Sequence, residues 1–131
     1  MNKSHDMKAS NRTSLLTSIR HAWHGIVLVF KTERSFRIQS IAAVGVFVLI
    51  FALPLEAWER AVLLLVAMLV LLLELLNSSV ERIVDLVKPR LHEYAGDVKD
   101  VMAGAVLLSA IFACIIALVV LAPHLPLPSR V

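Results

Sequence analysis

The stretch from Ala61 to Asp85, AVLLLVAMLVLLLELLNSSVERIVD, constrains this chain more than any other part of it. Thirteen apolar residues, Ala61 to Leu73, run straight into Glu74 and Asn77 before the apolar character has ended. A helix that is apolar on every face is either buried in a large core or set in a membrane. A carboxylate at membrane depth costs about 3 kcal/mol or more, so it faces a bundle interior or a wet cavity and serves a function there. At about 100° per residue, Glu81 falls within roughly 20° of Glu74 on a helix, Asp85 lies close to the same line, and Asn77 borders it. Three carboxylates and an amide therefore share the face of a membrane helix where it emerges into water. Like charges so placed favour proton sharing or a bound cation.

A chain of 131 residues can surround such a helix only with similar ones, and its composition, 59% hydrophobic with a mean hydropathy of +0.82, agrees. The sequence predicts one all-α membrane domain over residues 1–131, with residues 1–10 frayed or disordered. From Asn11 or Thr13, apolar residues recur at Leu15, Ile19, Trp23, Ile26 and Phe30, one face of a helix. Arg20, His21, His24, Lys31 and Arg34 occupy the other positions, so residues 11–35 read as a basic amphipathic helix on the membrane surface. Three spans follow, at 38–55, 58–79 and 101–122, the second continuing as an amphipathic helix to about residue 87, where Pro89 stops it. Residues Lys88 to Lys99 read as a polar connection. The single cysteine, Cys114, excludes a disulfide framework or a CxxC site within the chain and reads as a small packing residue.

Basic residues set the expected orientation. Lys3, Lys8, Arg12, Arg20, Lys31, Arg34 and Arg37 precede the first span, and Arg82, Lys88, Arg90 and Lys99 lie between the second and third. Only Arg60 lies between the first two spans and only Arg130 in the tail. The positive-inside rule puts the N-terminal helix and the acidic stripe on the cytoplasmic side and the C-terminus outside. The formal net charge of +3 is modest, and no nucleic-acid partner is expected.

Standard catalytic patterns are missing: there is no GxxxxGK[ST], no GxGxxG and no HExxH, and the histidines are scattered. What stands out is a carboxylate cluster with Lys99 at the membrane boundary. Phosphoryl transfer uses such parts: carboxylates to hold Mg²⁺, a cation for the phosphates, and a carboxylate to orient or deprotonate the attacking hydroxyl. The depth of Glu74 makes a lipid hydroxyl the natural acceptor. Two other readings are a non-enzymatic oligomer with an ion or proton pathway lined by Glu74, and a structural subunit in which Glu74 pairs with a partner's basic residue. A pathway would spread ionisable residues through the membrane depth, whereas here they cluster at one end.

ELLNSSVERIVD, followed by HEYAGDVKDVMAGAV, with TERSFR upstream, resembles the small integral-membrane bacterial diacylglycerol kinases and undecaprenol kinases. The pattern is E-x-x-N-[ST]-x-x-E-x-x-x-D, a polar loop with a histidine, then A-x-x-x-K-D, and the likeness runs from about Ser14 to Ala122. It implies an ATP- and Mg²⁺-dependent lipid kinase in the bacterial inner membrane, a homotrimer whose sites lie between protomers. By this resemblance Glu74 is the catalytic base and Asn77 orients groups in the site. Glu33 and Glu81 hold the Mg²⁺ that arrives with ATP. Lys99 contacts the phosphates, while Asp100, Asp85 and His92 lie on the nucleotide side. His21 is a further candidate there, against the plainer reading of a solvated interfacial residue. Where the diacylglycerol branch tends to have Tyr-Ser, this chain has His21 and Ala22, and it has Ser14 in place of an Arg; HAWHGI and TERSF look closer to the undecaprenol branch.

Overall fold

The protein is described by a computed structural model covering residues 3–87 and 92–124, with side chains at 15–86 and 94–124. Four helices follow one another: α1 Lys3–Thr32, α2 Arg34–Ala52, α3 Ala57–Val87 and α4 His92–Leu121, with a single 3₁₀ turn at Ala122–His124. No strand occurs among the described residues, which is the all-α class that the apolar periodicity predicts. By length and composition α2, α3 and α4 can each cross a membrane. Their outward faces carry large apolar side chains such as Ile41, Phe51, Leu118 and Val119, each at least 68% exposed in the single chain. Surfaces of that size cannot be left in water, and the protein is a multi-pass membrane protein.

Two short breaks set the path of the chain. At Glu33 the backbone turns extended, with φ −100° and ψ 120°, between the end of α1 and the start of α2. The Arg37 side chain, reaching back from α2, donates to the Phe30 and Lys31 carbonyls at 3.3 and 3.0 Å. It thereby satisfies acceptors that the end of α1 leaves unpaired. The surface helix expected over 11–35 is thus divided at Glu33, and its backbone is already helical at Lys3. No Gly or Pro stands before Gly25 to interrupt it.

The second break follows Ala52. Leu53 is extended, at φ −103° and ψ 149°, as a residue before proline must be, so α2 ends three residues before the expected Leu55. The Glu56 N–H then donates to Glu59 Oε2 at 2.7 Å, the reach-back half of a capping box on α3. His124 Nε2 lies 3.0 Å from Glu59 Oε1, joining the end of α4 to the start of α3. Around this turn Ile50, Leu55, Leu63 and Val120 form the buried core.

α4 begins at His92, nine residues before the apolar run from Val101. Only Glu93, Ala95 and Lys99 of HEYAGDVKD are strong helix formers, so packing sets this start more than propensity does, with Ala95 buried and Lys99 paired to Asp85 on α3. The expected polar connection is therefore helical from His92, while residues 88–91 lie outside the described residues. α3 packs against α4 and α2, and α1 touches α2 and α3 along a short length.

Candidate active site

Glu74 lies on α3, at the opposite end of the bundle from the Ile50–Val120 core, where α2, α3 and α4 enclose a cavity of about 320 Å³. Its side chain is only 4% exposed. The same face of α3 sends Asn77 and Glu81 into the cavity, so three of the four residues placed on one stripe by helical period converge there. α2 adds Ser35 and Gln39, and α4 closes the wall with small and apolar side chains, among them Ala103, Val106 and Ala110.

The hydrogen bonds assign orientations. Gln39 Nε2 donates to Glu74 Oε2 at 3.4 Å, and Asn77 Nδ2 donates to Glu81 Oε1 at 3.2 Å. Each amide thus holds a carboxylate and turns its own oxygen elsewhere. Gln39 Oε1 and Asn77 Oδ1 are both buried with no hydrogen-bond partner among the described residues. A buried acceptor left unpaired costs about 1–3 kcal/mol, so the cavity carries an unfilled demand for donors or a cation. Glu74 and Glu81 thus line the same cavity.

Glu33, at the α1–α2 break, does not cap α2 with its side chain. It faces Arg82 instead, whose Nη2 is 3.5 Å from Glu33 Oε1 and donates to Thr32 Oγ1 at 2.8 Å. Among the described residues no group of three or more His, Cys, Asp and Glu side chains is placed to hold a metal ion. A divalent cation here would rest on a carboxylate pair such as Glu33 and Glu81 and on oxygens that a substrate brings.

The remaining candidates from the sequence lie apart from the cavity lining. Lys99 Nζ pairs with Asp85 Oδ1 at 2.6 Å, tying α4 to α3 further along the acidic face. Asp85 lies on the same stripe of α3, beyond the cavity lining. Asp100 is exposed on α4, and His21 is exposed on α1. The backbone of His92 opens α4, and its side chain lies outside the described residues. Gln39 and Arg82 are the contributors that sequence reasoning misses. Gln39 had a signal, being a polar side chain inside an apolar span. Arg82 had none, for it reads as one more basic residue beside the membrane.

A second, apolar cavity of about 170 Å³ adjoins the first, lined by residues including Ala43, Val46, Ala67, Val70 and Ala113, and shares Gln39 and Ala110 with it. Its walls carry no ionisable carboxylate or base and only one polar amide, Gln39, so the pathway reading gains no support. The chemistry on offer is that of a sheltered carboxylate held by Gln39, the polar side chain that lines both cavities.

A family model described as prokaryotic diacylglycerol kinase matches residues 20–121, which include every residue of the carboxylate cavity. The diacylglycerol kinase of Synechocystis sp. is 47% identical over 113 residues, 86% of this chain and 65% of that protein. The chain thus spans slightly less than two thirds of that relative's length. The undecaprenol kinase of Bacillus subtilis is 37% identical over 108 residues, 82% of this chain and 88% of that protein. The diacylglycerol kinase of Escherichia coli is 31% identical over 112 residues, 86% of this chain and 92% of that protein.

Proposed function

The chain belongs to the prokaryotic diacylglycerol kinase family, and from that premise we propose that it is an ATP-dependent lipid kinase. It would carry the γ-phosphoryl group of ATP to the hydroxyl of a membrane lipid alcohol, diacylglycerol or undecaprenol. The observation that carries this reading is Glu74, 4% exposed in the carboxylate cavity and bonded by Gln39, which also lines the adjoining apolar cavity. A lipid hydroxyl presented from the hydrocarbon side reaches a carboxylate there, and a nucleotide presented from the water side reaches the acidic face.

In the proposed reaction Glu74 takes the proton of the lipid hydroxyl as its oxygen attacks the γ-phosphorus. The new P–O bond forms while the bond to the bridging β-phosphate oxygen breaks, and ADP leaves. Gln39 holds the base in place. Asn77 holds Glu81, and its own free Oδ1 is available to the incoming groups. Lys99, supported by Asp85, would meet phosphate charge, with Asp100, His92 and His21 on the nucleotide side.

Mg²⁺ fits the donors present. It binds through one or two carboxylates with substrate phosphates and waters, and Glu33, Glu81 and the unpartnered Asn77 Oδ1 are hard oxygen ligands of that kind. When bound it neutralises charge on the phosphate oxygens. The Lys and Arg distribution supports an orientation with α1 and the cavity on the cytoplasmic side of a bacterial inner membrane. A homotrimer with its sites between protomers is part of the proposal, and it would also cover apolar faces of α2–α4 that the single chain leaves exposed.

The test is a radiolabelled-ATP assay of the purified protein in lipid nanodiscs offered diacylglycerol and undecaprenol side by side. Label should pass to at least one of them. A protein that labels neither, while binding ATP, is not the kinase proposed.

A further inference from the structure

Arg82 stands one position past Glu81 on α3 and so projects about 100° away from the Glu74–Glu81 line. That direction takes it across to the α1–α2 break. Its Nη2 donates to Thr32 Oγ1 at 2.8 Å and lies 3.5 Å from Glu33 Oε1, and the Thr32 hydroxyl is itself 3.3 Å from that carboxylate oxygen. Glu33 occupies the N-cap of α2, where a side-chain oxygen commonly turns back onto the first N–H groups of its helix, yet it makes no such bond. The break is closed on its own side by Arg37, whose Nη1 donates to the Phe30 and Lys31 carbonyls of α1.

We infer that Arg82 is a positioning residue for the cation-binding arm of the site: by holding Thr32 and Glu33 against α3, it keeps the Glu33 carboxylate off the N-terminus of α2 and turned toward α3, the helix that carries Glu81. This rests on the lipid-kinase reading and on Glu33 and Glu81 as its metal ligands. Charge and geometry pull in opposite directions here. By charge alone a guanidinium beside a carboxylate weakens cation binding, so its removal would tighten it. By geometry its removal lets Glu33 swing to the free N–H groups of α2, where a carboxylate is favoured, and one ligand is lost. Geometry dominates because the Arg82 and Glu33 side chains are 44% and 31% exposed, so solvent screens the ion pair. The shorter bond, to the uncharged Thr32 hydroxyl, is what anchors the guanidinium.

The experiment compares the parent with Arg82→Gln and Arg82→Lys, each full length in nanodiscs. Mn²⁺ binding is read by electron paramagnetic resonance with a non-hydrolysable ATP analogue and no lipid alcohol, and the Mg²⁺ dependence of turnover is read separately. Arg82→Gln should weaken Mn²⁺ binding roughly tenfold, as loss of an outer-shell partner does, and raise the Mg²⁺ needed for half-maximal turnover to match. The kcat at saturating Mg²⁺ should hold within about threefold, since the outer shell acts on ligand placement. Arg82→Lys, which keeps the charge without the planar fork, should fall between. Should Arg82→Gln fail to fold, Thr32→Val removes the hydroxyl that accepts from Arg82, together with that hydroxyl's own contacts to Leu28 O and Glu33 Oε1, and should shift Mn²⁺ affinity the same way. Mn²⁺ binding unchanged or tighter in Arg82→Gln or Thr32→Val overturns the inference, and so does a loss of kcat at saturating metal with Mn²⁺ affinity intact. A parent that binds Mn²⁺ and nucleotide but phosphorylates no lipid would instead sink the function reading, with the Mn²⁺ comparison still deciding the role of Arg82.

Discussion

At the scale of single residues, the site depends on pairs in which an amide manages a carboxylate. Glu74 has one such partner in Gln39, at 3.4 Å. Replacing Glu74 by Gln keeps size and hydrogen-bonding capacity and removes only the proton acceptor. Phosphate transfer should fall by roughly 10²–10⁴-fold, the usual worth of a general base, with an unchanged elution volume from gel filtration. Turnover within a few-fold of the parent would remove Glu74 from that role. Gln39 makes a sharper case, because its Oε1 is buried without a partner. Gln39→Met conserves volume and abolishes that unpaired acceptor, so thermal stability in detergent should stay level or rise while kcat drops roughly tenfold, the value of a hydrogen bond to a charged group. A stability loss with activity preserved would show that Gln39 packs the bundle and does not hold the base. The α3 stripe of Glu74, Asn77 and Glu81 is legible in the sequence because helical period is local. The partners of Gln39 and Arg82 are not, because these contacts join residues 35 and 50 positions apart and no periodicity carries that information, although Gln39 itself stands out as a polar side chain in an apolar span.

Among the elements, α3 is the helix on which everything else is placed, and both of its ends are tied. Its start is closed by Glu59, which accepts from the Glu56 N–H at 2.7 Å and meets His124 at 3.0 Å. Glu59→Ala removes both contacts at once. The melting temperature should fall, with residual activity at low temperature preserved because the carboxylate cavity lies at the other end of the bundle. Equal melting temperatures for parent and variant would show that this clasp contributes nothing. The far end of α3 is tied by Lys99 to Asp85 and by Arg82 to Thr32, which link it to α4 and to the α1–α2 break. Element types were legible because long apolar runs admit little else in a membrane. Two boundaries were not. Glu33 breaks the first helix with neither Gly nor Pro to announce it, and α4 extends back to His92 through residues whose polarity reads as a loop.

For the whole molecule, the single chain leaves the apolar faces of α2, α3 and α4 open, and lipid or further copies must cover them. The proposed homotrimer predicts that native mass spectrometry from nanodiscs records three chains per particle. A stable particle of one chain with full activity would refute that assembly. The sequence by itself determined that the chain is helical, that three of its helices can span a membrane, and that Glu74, Asn77 and Glu81 share one face, because apolar length and helical period are properties of neighbouring residues. It carried the family as well, in the spacing of its acidic motif. Tertiary structure alone decided what meets that face: Gln39 at Glu74, Arg82 across the break to Glu33, Lys99 turned to Asp85, and an alanine-lined cavity on the other side of Gln39. Those choices depend on how separate helices cross and on where the backbone breaks, and only packing settles either.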